Sequence, residues 1–315
     1  METTVYTACM LRRLKQLLFF DTKTNYTRYA RQFSEKQLKL KSGLVINYAE
    51  AGSGEELIFL HGLANNWKMW IPLAMKLKER YKVILIDMPG YGKSTRLSEY
   101  SLKISAKVIS KFVIEGGFKP LSVVGLSLGS QIAATLVNDY PQIAKTVILN
   151  GPIFKIHDIG HFNDYLTDKI HNAAHLKIII PILKRYIKNT FLSYTTSKFL
   201  NYYEFRRSLL DNYTREGRKQ VDPLAWLQLS ADAADIEMEN IINKLTIPVL
   251  LVFGDHDKWT SLEGAKSLLT EAKSRIEYVK IKNAGHSVST EKSAPVGVAI
   301  KKFLAELEKS ANGKN

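Results

Sequence analysis

Short apolar runs recur along this chain, and they constrain its fold more than any other feature. Leu57–Leu60, Val83–Ile86, Leu121–Val124, Thr146–Leu149 and Pro248–Phe253 are dominated by Leu, Ile and Val; Leu44–Ala49 and Ile276–Ile281 read as further strands. A strand that is apolar on successive residues has no polar side to offer water, so both its faces must be covered. Helical patterns supply the cover. Trp67 to Arg80 reads as a helix interrupted early by Pro72, Ser101 to Glu115 as an amphipathic helix, and Ala294 to Leu307 as a closing one; Ile132, Ala133, Leu136 and Val137 mark another. Buried runs alternating with helices predict an α/β fold: a mostly parallel central sheet flanked by helices on both faces. The alternation stops at Gly151-Pro152 and resumes at Pro248, and helical patterns without a buried run lie between. The expected organisation is an N-terminal extension over 1–40, a core over 41–151 and 241–310, a helical cap over 152–240, and a flexible tail over 311–315.

In a sheet of this kind chemistry gathers where the strands end. The run Leu121–Val124 leads into Gly125-Leu126-Ser127-Leu128-Gly129 and then at once into a helix. That is a strand, a sharp turn and a helix with serine at the apex. Small residues on either side of the turn let it close, and the new helix aims its first N–H groups at whatever the hydroxyl attacks. A serine hydroxyl needs a base, an acid to orient that base, and donors for an oxyanion. Gly254-Asp255-His256-Asp257 and Asn283-Ala284-Gly285-His286 follow two later strands, in the chain order serine, acid, histidine. His61-Gly62-Leu63 follows the strand Leu57–Leu60, where a second oxyanion donor is needed.

The ordered set resembles the α/β-hydrolase superfamily in its single-chain, capped, serine esterase or lipase form. The resemblance rests on His61-Gly62, on Trp70 nine residues later, and on the turn Asp87-Met88-Pro89-Gly90-Tyr91-Gly92-Lys93-Ser94. It rests equally on the Ser127 elbow, Gly254-Xaa-Xaa-Asp257 and Gly285-His286. It implies that Ser127 is the nucleophile, His286 the general base and then acid, and Asp257 the orienting carboxylate. The backbone N–H groups of Leu63 and Leu128 would form the oxyanion hole. Asp255 is a nearby rival for the acid, but the family pattern puts the acid three residues after the glycine. Asn150, where some relatives carry the acid, cannot serve. A serine nucleophile disfavours the relatives that work through an aspartyl ester. His61 is expected to bond the local backbone and shape its loop. The implied activity is hydrolysis of carboxylic esters with an apolar or lipid-like acyl part. Cleavage of carbon–carbon bonds, acyl transfer, or a catalytically silent module that holds a lipid or small ligand are the alternatives. No cofactor and no metal is implied.

Other signals are set aside or stay open. Gly92-Lys93-Ser94 is no phosphate loop, because Asp87 stands where that motif has its first glycine. His157 with His161, and His171 with His175, have helical spacing but lack the glutamate of a zinc protease. The chain carries a net charge of +15, which suits an anionic partner or simply solubility. Two segments concentrate basic and apolar residues. Met10, Leu11, Leu14, Leu17 and Leu18 lie at helical spacing beside Arg12, Arg13 and Lys15, and residues 176–219 mix Lys184, Arg185, Arg206 and Arg218 with Tyr186, Phe191, Tyr202 and Tyr203. Each reads either as a peripheral contact with an anionic membrane surface or as ordinary packing. No recognised nucleic-acid module is present, so nucleic acid is not an expected partner. A single cysteine, Cys9, and the lack of a bilayer-spanning stretch point to a cytoplasmic protein, with membrane contact at most peripheral.

Overall fold

A computed structural model describes residues 28–154, 180–189, 215–259 and 262–312. Eight strands form one sheet in the order β1-β2-β4-β3-β5-β6-β7-β8. They are β1 (Ser34–Lys39), β2 (Val45–Ala51), β3 (Glu56–Leu60), β4 (Lys82–Ile86), β5 (Pro120–Leu126), β6 (Thr146–Asn150), β7 (Val249–Gly254) and β8 (Ile276–Ile281). β1 and β2 run antiparallel to their neighbours; from β4 to β8 every pairing is parallel.

The apolar runs are buried on both faces, as their composition requires. Ile58, Leu60, Ile84 and Ile86 face one layer, and Leu57, Phe59, Val83 and Leu85 the other. Helices α2 (Leu102–Glu115) and α3 (Leu128–Asp139) cover the first face. The 3-10 turn Trp67–Trp70, α1 (Ile71–Leu77) and α10 (Ser293–Asn312) cover the second. Between β6 and β7 the described residues form α4 (Ile180–Lys188), α5 (Arg215–Gln220), α6 (Pro223–Asp235) and α7 (Met238–Lys244). Helices α8 (Leu262–Leu268) and α9 (Val288–Glu291) flank β8.

Three local outcomes differ from the sequence reading. Pro72 begins α1 rather than interrupting a helix: it lies in the first turn, where a missing N–H has no intrahelical acceptor to lose. The closing helix runs on to Asn312. Ser34–Lys39, assigned by sequence to the N-terminal extension, is a strand of the sheet, paired residue by residue with β2 from Ser34↔Glu50 to Lys39↔Val45. Its sequence, SEKQLK, has no apolar face to announce it. Charged, mostly exposed residues are what a sheet edge carries to block pairing with another chain. The basic amphipathic segment around Met10–Leu18 lies outside the described residues.

Candidate active site

β5 ends at Leu126 and α3 begins at Leu128, so Ser127 alone makes the turn. Its backbone has φ 54° and ψ −122°, a conformation that costs a non-glycine residue on the order of 1–3 kcal/mol and persists only where the surroundings enforce it. The enforcement is steric and polar. A Cβ on Gly125 would lie 2.3 Å from Gly129 O, and one on Gly129 would lie 2.1 Å from Leu60 O. Only glycines let strand, helix and the neighbouring β3 approach this closely. Asn150, fully buried at the end of β6, ties the turn down. Its carbonyl accepts from Ser127 N (3.0 Å) and Ser130 Oγ (3.0 Å), while its Nδ2 donates to Gly125 O (2.9 Å).

The loop after β8 brings His286 to this serine. Ser127 Oγ lies 2.9 Å from His286 Nε2, and His286 Nδ1 lies 3.0 Å from Asp257 Oδ2 and 3.2 Å from Oδ1. The side chain of Asp257 is fully buried and that of His286 is 7% exposed, so neither end of their contact competes with bulk water. Asp257 Oδ1 also accepts the N–H of Trp259 (2.8 Å), an Asx turn that fixes the carboxylate plane. The Trp259 ring sits 6.2 Å from that of His286, centroid to centroid. Gly285 N donates to the Glu291 carboxylate (3.1 Å), bracing the loop one residue from the imidazole. The rival acid, Asp255, turns elsewhere. Its Oδ1 accepts from Ala284 N (3.1 Å). Its burial works against ionisation, but N–H groups of Asn283 and Ala284 and nearby His256 outweigh it and hold the carboxyl below its ordinary range.

The segments that carry the two sequence-assigned oxyanion donors border Ser127. Leu128 is the first residue of α3, so its N–H has no intrahelical acceptor. The loop bearing Leu63 passes so close that a Cβ on Gly62 would lie 3.7 Å from Ser127 Cβ. His61 orients that loop. Its Nδ1–H donates to Gly62 O (2.8 Å), and its Nε2 accepts from Met88 N (3.2 Å). The Gly62 carbonyl shares a peptide plane with the Leu63 N–H, so holding one aims the other. Complete burial pushes the His61 pKa down to about 4, so the ring stays neutral and both bonds keep their direction. Below it, buried Asp87 accepts from Trp67 N (2.8 Å), Asn47 Nδ2 (2.8 Å) and Lys93 N (3.0 Å). Burial raises its pKa, and the donated N–H groups oppose that rise. The Gly92-Lys93-Ser94 turn thus wraps a carboxylate of its own chain, which leaves no place for a phosphate.

Sequence reasoning overlooked Asn150 as a brace, and it overlooked Trp259 and Glu291 altogether. Only the strand-end location of Asn150 could have flagged it; the other two act through contacts that no spacing encodes. The histidine pairs 157/161 and 171/175 lie outside the described residues. Among the described residues no group of three or more His, Cys, Asp or Glu could hold a metal ion. An alcohol bonded to an imidazole, itself bonded to a buried carboxylate, can deliver a nucleophilic oxygen to an electrophilic carbon.

The sequence model of the alpha/beta hydrolase fold matches residues 56–293. Monoacylglycerol lipase ABHD6 of Homo sapiens is 24% identical over 269 residues, covering 84% of this chain and 79% of that protein. The esterase EaEST of Exiguobacterium antarcticum superposes with a TM-score of 0.71 at 18% identity, over 86% of this chain and 100% of that one. The epoxide hydrolase CorEH superposes with a TM-score of 0.68 at 21% identity, over 87% and 99%. An esterase and an epoxide hydrolase on one scaffold show that the fold alone leaves the reaction open.

Proposed function

The chain belongs to the α/β-hydrolase family, and on that premise we propose that it is a serine hydrolase of carboxylic esters with an apolar, lipid-like acyl part. One observation carries the reading. The contacts of 2.9 Å from Ser127 to His286 and 3.0 Å from His286 to Asp257 join side chains from three separate strand ends, the first pair 159 residues apart. Ser127 Oγ attacks the carbonyl carbon as His286 Nε2 takes its proton. The Leu63 and Leu128 N–H groups hold the oxyanion, and Asp257 stabilises the imidazolium. His286 then protonates the departing alcohol. Water, deprotonated by the same imidazole, releases the acid and frees the serine. The relative named as a monoacylglycerol lipase supports a lipid ester as substrate class.

A fluorophosphonate probe tests the mechanism: the wild type is labelled and Ser127→Ala is not. Absence of labelling in the wild type leaves the silent binding module. p-Nitrophenyl esters of graded chain length then test the acyl preference, and flat or short-chain activity would refute it. The proposal extends to a peripheral contact with anionic membrane. It is supported by the charge of +15 and by α4, where Ile182 is 73% exposed beside exposed Lys184 and Arg185. Among the described residues no helix is long and apolar enough to cross a membrane. Flotation of the protein with anionic but not neutral vesicles is the expected result, and failure to float with either would refute the contact.

A further inference from the structure

Cap helix α5 does not stand clear of the core: it rests on the loop that carries Leu63. The contact is backbone on backbone. A Cβ on Gly217, in the middle of α5, would lie 2.9 Å from Asn65 Cα and 3.0 Å from both Ala64 O and Asn65 C. Glycine weakens a helix interior, and here it permits this approach. On one side of Gly217, Glu216 pairs with Lys68 at 2.5 Å, with both side chains partly shielded. On the other, Gln220 Oε1 accepts from Asn66 Nδ2 (3.3 Å). Residues 64, 65, 66 and 68 of the core are therefore all gripped by one cap helix.

The gripped loop holds a conformation that needs support. Ala64 has φ 56°, in the left-handed region that a non-glycine residue adopts at a cost. Asn65 Nδ2 donates back to Leu63 O (3.2 Å), so a displacement of Asn65 pulls directly on Leu63. The far end of α5 is anchored. The Arg96 guanidinium donates to Gln220 O and also to Gly92 O and Ser94 O. Just beyond, Asp222 N donates to Gly90 O (2.8 Å), and Asp222 Oδ2 accepts from the Tyr100 hydroxyl (2.7 Å). α5 is thus a strut between two core turns, pressed on the loop from the cap side while His61 holds it from the core side.

We propose that α5, through Gly217 and the Glu216–Lys68 pair, positions the oxyanion donor Leu63, so that seating of the cap and readiness to stabilise the oxyanion are one structural state. This rests on the serine-hydrolase reading above. It assigns the cap a part in the chemical step itself, beyond enclosing the acyl chain. Gly217, Glu216 and Lys68 are positioning residues, since none reaches the reacting atoms.

The test compares Gly217→Ala and Lys68→Glu with wild type on p-nitrophenyl acetate and on longer esters, together with the rate of fluorophosphonate labelling. A misplaced Leu63 weakens transition-state binding for every ester alike. The expected result is a fall in kcat of about tenfold or more, equal across chain lengths, with KM within about threefold of wild type. The reversed pair, Lys68→Glu with Glu216→Lys, should recover most of the loss. If kcat on the acetate stays at the wild-type value while KM for long esters rises, α5 is only a pocket wall and the proposal is overturned. It is equally overturned if the double reversal is no better than Lys68→Glu alone. Thermal melts identify a variant that has merely unfolded, and the charge-reversal pair then decides. A wild type that is not labelled at all fails the parent reading instead, which separates the two.

Discussion

Replacing His61 with glutamine should change how stability depends on pH, in a direction set by the burial of its ring. The imidazole is fully buried, and its pKa falls from 6.5 to about 4 in the folded protein. A depressed folded value means that the unfolded chain takes up a proton which the native state refuses. Stability is therefore complete above the unfolded pKa and declines as pH falls from 6.5 toward 4. Linkage over that window gives a loss on the order of 1 kcal/mol between pH 7.5 and 5.5, growing to roughly 2–3 kcal/mol at pH 4.5. Urea unfolding followed by tryptophan fluorescence measures it in wild type and His61→Gln at each pH. Other titrating groups are common to both proteins and cancel in the difference. The variant should be less stable at pH 7.5, because glutamine cannot span Gly62 O and Met88 N as the ring does. The gap between the two proteins should then narrow by on the order of 1 kcal/mol at pH 5.5. A gap that stays constant within about 0.3 kcal/mol would refute the reasoning, since it would mean that the native ring protonates as freely as an exposed one.

Asp257→Asn should keep the fold yet lower kcat by on the order of 10⁴, because an amide can donate to Nδ1 and hold His286 in the wrong tautomer; steady-state kinetics beside an unchanged melting curve checks this. Gly129→Ala should cost about 3 kcal/mol or more, a fall of roughly 5 °C or more in melting midpoint, since the added carbon meets backbone oxygen rather than a movable side chain. Asn150→Ala should cost about 1–3 kcal/mol by stranding the Gly125 carbonyl, and should lower kcat far less than Asp257→Asn, because the backbone bond from Ser127 N to Asn150 O survives. Chemical denaturation and kinetics on the same preparation separate the two effects.

The apolar runs were enough to imply the parallel sheet, because a strand without a polar side can exist only between two covering layers. The order of the loops at their ends was enough to nominate Ser127, His286 and an acid in the loop Gly254–Asp257, the family pattern singled out Asp257, and the structure brings Ser127, Asp257 and His286 within hydrogen-bonding distance. Those features are local or strictly ordered along the chain, so one dimension holds them. The edge strand Ser34–Lys39 left no such trace, because a half-solvated strand owes its pairing to a neighbour and not to its own composition. Nor could loop order alone choose between Asp255 and Asp257, or show that Asn150 pins the elbow, or that Gly217 presses on the Leu63 loop. Each of these is a contact between segments far apart in the chain. Only the packed chain sets such distances, because they depend on how strands, helices and cap settle against one another in three dimensions.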